Sequence, residues 1–146
     1  TDVVCNFAGI ADLDDARTKA LETARQNVIG TIHLLEACRA AGVKRYLHAS
    51  SVYVHSKRGG FYRCSKQAAE LYIEEYQKHY NLDYTILRFG TIYGERSDER
   101  NSVYRYLYDA LTKKLVECNG TGEELREYIN VKDAARLCAA LRRGPP

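Results

Sequence analysis

The sequence predicts an α/β fold: part of a doubly wound parallel sheet, followed by the start of a smaller α/β domain. Three observations carry this. Short apolar runs that stop at glycine alternate with longer segments of 3.6-residue periodicity. The links between them are short, as expected of crossover connections joining parallel strands. After Gly94 the pattern changes to a charged loop and shorter elements, so the expected domains are residues 1–94 and 95–146.

Asp2-Val-Val-Cys-Asn-Phe-Ala8, stopped by Gly9, reads as a buried strand. From about Leu21 to Ala41, apolar residues at Leu21, Ala24, Val28, Ile32, Leu35 and Cys38 keep a helical period, and Gly42 supplies the stop. Val43 to Ser50 is the next strand and Tyr62 to Tyr80 the next helix, with Ala69, Ile73 and Tyr76 among its apolar positions. Asn81-Leu-Asp makes the turn into a strand from Tyr84 to Phe89, closed by Gly90. Beyond it come a charged loop (Glu95 to Asn101), a helix (Ser102 to Lys114), two strand-like stretches (Leu115 to Cys118 and Glu124 to Val131) and a last helix (Lys132 to Leu141).

Composition bounds the function. The 146 residues are 45% hydrophobic and 28% charged, enough for one core. No apolar run approaches the ~18 residues that span a bilayer, and the chain reads as cytoplasmic. A net charge of +3 is too small to argue for nucleic acid and is compatible with an anionic small substrate. Five cysteines (Cys5, Cys38, Cys64, Cys118, Cys138) without a C-x-x-C pair indicate neither a disulfide framework nor a zinc site, and no metal is expected. Cys64 lies between Tyr62 and Lys66, where a cation could activate a thiol; a reduced, inert cysteine is the simpler expectation. The four histidines (His33, His48, His55, His79) show no ligand spacing and read as structural or solvated.

The chemistry is concentrated in Tyr62 and Lys66, four residues apart and eleven residues after the pair Ser50-Ser51. On a helix, i and i+4 share a face, so the ammonium can stand beside the phenol, and a neighbouring cation favours the phenolate as a general base. A serine hydroxyl within reach could bind the same substrate oxygen. With 12 tyrosines in the chain, chance alone supplies roughly 0.7 such pairs, so spacing needs context. Tyr128/Lys132 begins in a strand-like stretch and Tyr53/Lys57 runs into Arg58-Gly59-Gly60; only Tyr62 opens a long amphipathic helix.

With these elements in place, the chain resembles the NAD-dependent epimerase/dehydratase family of extended short-chain dehydrogenases/reductases, which has a Rossmann-like fold. The resemblance rests on Asn6-Phe-Ala-Gly9, Asn27-Val-Ile-Gly-Thr-Ile-His-Leu-Leu-Glu-Ala37, Val43-Lys-Arg-Tyr46, Ala49-Ser-Ser51, Tyr62-x-x-x-Lys66 with Ala68-Ala-Glu70, Leu87-Arg-Phe-Gly-Thr-Ile-Tyr-Gly94 and Arg126-Glu-Tyr-Ile-Asn-Val-Lys-Asp133. It implies bound NAD, with NADP as the alternative, and a nucleotide-sugar substrate. Carried over residue by residue, Tyr62 is the base, Lys66 binds the nicotinamide ribose, and Ser51, with Ser50 as fallback, fixes the reacting oxygen. Ala8, Gly9, Asn27, Ser50, Tyr62, Lys66 and Phe89 are expected at the cofactor, Asn27 as a structural or proton-relay residue; Ser51, Thr91 and Arg126 are expected at the substrate.

Departures from the family pattern narrow the expected activity. Val52-Tyr53 follow Ser51 where dehydratases carry an acidic pair, which favours epimerisation over elimination. Thr91 replaces a common asparagine and Glu95 a common proline. The expectation is therefore a 4-epimerase-like enzyme; the alternatives are a 4-keto sugar-nucleotide reductase using the same residues, or a non-catalytic piece. That last alternative is motivated by the absent glycine-rich pyrophosphate turn and the first residue, Thr1, from which a piece of a longer protein is expected. Such a piece is expected to be inactive alone, and the whole protein to pair as a homodimer through the helices of Asn27 and Tyr62.

Overall fold

The structure, a computed structural model, describes residues 1–117 and 120–142; Cys118 lies outside the described residues. The described chain separates into two compact units. One is Thr1–Arg88 with Leu141 and Arg142, and the other is Phe89–Ala140.

The first unit is built on β1 (Val3–Asn6), β2 (Arg45–Ser51) and β3 (Asp83–Phe89) in the order β1-β2-β3. β1 and β2 are parallel, with Val3 opposite Arg45 and Asn6 opposite His48. β2 is central and covered on both faces, with Tyr46, Leu47, His48, Ser50 and Ser51 all buried.

Between β1 and β2 run α1 (Leu13–Thr18), α2 (Ala20–Ala24), a π turn (Arg25–Ile29) and α3 (Gly30–Ala40). Helix begins eight residues earlier than the apolar period indicates because the Asp12 carboxylate caps it, accepting from the backbone amides of Asp14 and Asp15 at 2.9 and 3.0 Å. The inward face also differs: Leu21 and Ala24 are exposed, while Thr23, Asn27 and Thr31 are buried, and the expected face returns at Leu35 and Cys38. A π turn inserts extra residue length and rotates the face that follows it. Polar bonding of Asn27, described below, overrides apolar periodicity here. Gly42, at φ 62°, ends the helical run as expected.

β2 leads through a 3-10 turn (Val52–His55) into α4 (Gly60–Tyr80). Its C-cap Asn81 adopts the left-handed conformation, donating its amide to Gln77. α4 buries Ala69, Ile73 and Tyr76 as expected, and the core forms where Ile73 and Tyr76 meet Leu35, Cys38, Val43, Tyr46 and Leu82.

In the second unit, β4 (Thr91–Tyr93) pairs in parallel with β5 (Tyr128–Asn130). α5 (Ser102–Thr112) is capped by Asn101, whose Nδ2 also donates to the Ile92 carbonyl at 2.8 Å; α6 (Val131–Leu141) follows β5 directly. Two expectations are corrected. Leu115–Glu117 form no strand, and only Tyr128–Asn130 of the stretch from Glu124 to Val131 is strand. β4 offers just three residues to pair with, and Leu115 and Val116 are exposed and unpaired in any ladder. No helix among the described residues is long and apolar enough to cross a membrane.

Candidate active site

The helical repeat of α4 puts Tyr62, Lys66 and Glu70 on one face, one turn apart, and all three are buried. That face grips three consecutive residues at the C-terminal end of β2. Lys66 Nζ donates to the Ala49 carbonyl at 2.8 Å. The Ser50 hydroxyl donates to the Glu70 carboxylate. The Ser51 side chain is near enough to the Tyr62 phenol to act on its pKa, pulling it down. From β3, Arg88 closes the layer, donating to both Glu70 oxygens, with Nη2 to Oε2 at 2.8 Å and Nε to Oε1 at 3.1 Å. The structure thus brings Ser50, Ser51, Tyr62 and Lys66 together.

Their electrostatics differ from the simplest expectation. Burial raises the Tyr62 phenol above its ordinary value, and the Ser51 side chain only partly offsets this. The Lys66 ammonium donates to the Ala49 carbonyl and stands 5.8 Å from the ring centroid, over the face of the ring. Burial also pushes Lys66 down to about 8, against the opposing pull of Glu70. For Glu70, burial pushes upward, but bonds from Arg88 and Ser50 outweigh it and hold the carboxyl below its ordinary range. His48, buried in β2 and stacked on Tyr46, is pushed down to about 4, first by burial and then by Lys66. Among the described residues neither of its ring nitrogens has a hydrogen-bond partner.

A second polar layer lies at the end of β1. Asn6 Nδ2 donates to the Tyr46 hydroxyl at 2.8 Å, and its Oδ1 accepts from the Ala8 amide at 3.0 Å. Asn27 pins the following loop: Oδ1 accepts from the Ile10 amide (2.8 Å), while Nδ2 donates to the Ile10 carbonyl (3.0 Å) and to Ser65 Oγ (2.9 Å). Ser65 in turn donates to the Tyr62 carbonyl at 2.8 Å, so Asn27 is linked to the start of α4. All hydrogen-bonding groups of the Asn27 amide are engaged structurally. Gly9 packs so tightly on it that a Cβ there would stand 2.5 Å from Asn27 Oδ1, at a φ of 139° that side chains rarely adopt. Ala8 and Gly9 themselves are exposed.

The remaining expected residues are elsewhere in the chain. Phe89 is the buried last residue of β3. Thr91 opens β4, its amide donating to the Glu127 carbonyl at 2.8 Å, and Arg126 is exposed just before β5. Cys64 is exposed, on a different side of α4 from the buried Tyr62 and Lys66. The two decoy pairs behave as their contexts suggest. Tyr53 sits in the 3-10 turn, its ring edge-on to Tyr62, and Lys132 is paired with Glu95 at 2.6 Å. Among the described residues no group of three or more His, Cys, Asp or Glu is arranged to hold a metal ion.

Sequence reasoning assigned no role to Glu70, Arg88, His48 or Ser65. A signal for Glu70 existed: it continues the Tyr62/Lys66 spacing by four more residues, so an acid was due on the inward face. Arg88 and His48 carry no local signal of this kind.

Parallel strands ending in exposed Ala8 and Gly9 beside a serine, tyrosine and lysine cluster invite comparison with known proteins. The UDP-glucose 4-epimerase of Mycolicibacterium smegmatis is 31% identical over 140 residues, which cover 84% of this chain and 44% of that protein. The crystal structure of UDP-glucose 4-epimerase from Thermotoga maritima with UDP-glucose matches at a TM-score of 0.86 with 26% identity, covering 96% of this chain and 52% of that one. UDP-glucuronic acid 4-epimerase from Bacillus cereus, solved with UDP-glucuronic acid and NAD, matches at 0.83 with 26% identity, covering 96% of this chain and 49% of that one. The chain spans less than two thirds of these relatives, and about a quarter of others. The family pattern itself runs over residues 1–145, and on that match the chain belongs to the NAD dependent epimerase/dehydratase family.

Proposed function

We propose that the protein is an NAD-dependent sugar-nucleotide 4-epimerase whose acid-base residue is Tyr62. The observation that carries this is the convergence of Ser51, Tyr62 and Lys66 where β2 meets α4. Relatives named as 4-epimerases, one of them solved with NAD, support the substrate class.

NAD fits the residues present. Ligands of open α/β sheets bind at the carboxyl ends of the strands, and there β1 and β2 set exposed Ala8 and Gly9 near Ser50 and Ser51, with a lysine beside them. Ala8, Gly9, Asn27, Ser50, Lys66 and Phe89 would hold or border it, Asn27 by fixing the Gly9–Ile10 backbone rather than by relaying protons. Bound NAD supplies the redox partner of the sugar carbon. Tyr62 takes the proton of the sugar hydroxyl and returns it after the ring has turned over; Ser51 hydrogen-bonds the same oxygen and lowers the cost of the phenolate; Lys66 contributes positive charge and binds the cofactor's ribose. Residues 1–94 carry this chemistry, and Thr91 and Arg126, whose planar guanidinium suits a diphosphate, hold the sugar nucleotide.

Exposed Leu21 and Ile29 on the first helical run, with Leu71 and Tyr72 on α4, support a homodimer through these helices. Sedimentation as a monomer only would count against it. The proposed setting is the cytoplasm.

The test of function is incubation of the full-length protein, since the chain spans only about half of the relatives it matches, with UDP-sugars and NAD. Interconversion of 4-epimers without net consumption of NAD is expected. Stoichiometric consumption of NADPH with a 4-keto sugar nucleotide would make the protein a reductase instead, and no turnover together with no NAD binding in calorimetry would leave a non-catalytic piece.

A further inference from the structure

Three side chains on α4 hold three successive residues of β2, yet the reaction as proposed uses only two of them. Glu70 is the third. It is 6% exposed, receives the Ser50 hydroxyl, and is held in a fixed orientation by the fork of Arg88 from β3. A buried carboxylate with a single pair partner is costly to keep for stability alone. Its place, one helical turn beyond Lys66 and on the same face, puts its charge where the ammonium senses it.

We propose that Glu70 is a positioning residue for the Tyr62/Lys66 pair: it locks Ser50, and with it the Ser51 backbone, against α4, and supplies the negative charge that faces the Lys66 ammonium. The inference rests on the reading of Tyr62 and Lys66 as the reacting pair. The charged and titratable groups facing Lys66 are His48 from β2, Glu70 and the Tyr62 ring from α4 itself; Arg88 from β3 faces Glu70. His48 is held neutral and adds no charge there, and among the described residues Glu70 is the negative charge that opposes burial at Lys66.

The sign of one titration separates this role from simple packing. If Glu70 holds the ammonium charged, Glu70→Gln removes that charge while keeping the shape, and Lys66 must lose its proton at lower pH. If Glu70 merely packs the layer, the same variant loosens it, admits water and moves Lys66 up toward the ordinary lysine value. The experiment follows the lysine side-chain resonances of the isotopically labelled protein through a pH titration without cofactor or substrate, with Lys66→Arg identifying the signal. Because no turnover is read, its outcome is independent of whether the protein is an epimerase. A downward shift of roughly one pH unit is expected in Glu70→Gln. Should that variant fail to fold because Arg88 is left unpaired, Glu70→Gln with Arg88→Met removes both charges, and a smaller downward shift is expected because loss of the Arg88 cation partly offsets loss of the carboxylate. An unchanged or upward-shifted Lys66 in the folded variant overturns the proposal.

Discussion

The two units of the chain bury their side chains very differently. Thr1–Arg88 encloses Leu35, Tyr46, Leu47 and Ile73 almost completely and adds a buried polar layer of Asn27, His48, Ser50, Lys66 and Glu70. In Phe89–Ala140 the buried apolar side chains among the described residues are Phe89, Ala134 and Cys138, while Leu107, Tyr108, Leu111 and Leu125 are exposed. Stability and the proposed chemistry therefore share one unit. The contrast teaches that the site's polar residues are fixed by the best-packed part of the molecule, which is what a geometry tolerant of little error requires.

The sharpest way to break this comparison is to open the core of the first unit. Leu35→Ala should cost about 3 kcal/mol in chemical denaturation, the transfer and cavity terms of a fully buried leucine. A cost within the scatter of surface substitutions would mean that the packing does not carry the unit.

The polar layer gives the next effect. Because His48 is held down at about 4, against an ordinary value of 6.5, the unfolded chain takes up its proton first as pH falls. Stability present above pH 6.5 is lost progressively down to about pH 4, to a total of about 3 kcal/mol. His48→Phe, which keeps a ring for stacking on Tyr46, should flatten that part of the stability-pH curve relative to the wild type. An unaltered acid limb would show that His48 is not the buried neutral ring described here.

The smallest effect is expected in the second unit. Leu107→Ala, at a residue 60% exposed, should change the unfolding free energy by less than about 0.5 kcal/mol. A loss comparable to that of Leu35→Ala would reveal that its exposed face is covered in the protein in solution.

Much of this was legible in the sequence, for local reasons. Tyr62 and Lys66 share a helical face whatever surrounds them, and Gly42 and Asn81 stop their helices by backbone conformation alone. The parallel sheet followed from apolar runs bounded by glycine. What was illegible is non-local. The burial of Thr23, Asn27 and Thr31 in place of Leu21, Ala24 and Val28 depends on Asn27 finding Ile10 and Ser65, 17 and 38 residues away. Spacing gives Tyr62 and Lys66 a shared face, but neither the burial that raises the phenol nor the Ala49 carbonyl that the ammonium bonds. Glu70 carried a local signal, but its partner Arg88 lies 18 residues on, in strand β3. Short strands such as β5 were over-extended because ladder length is set by the partner, β4.

The central claim is that Tyr62 moves the proton in a site built by α4 on the end of β2. The direct measurement compares turnover of a UDP-sugar with NAD affinity in Tyr62→Phe of the full-length protein. The account predicts turnover reduced by about a thousandfold, within the usual contribution of a positioned acid-base group, with NAD affinity unchanged. Turnover equal to that of the wild type would contradict it.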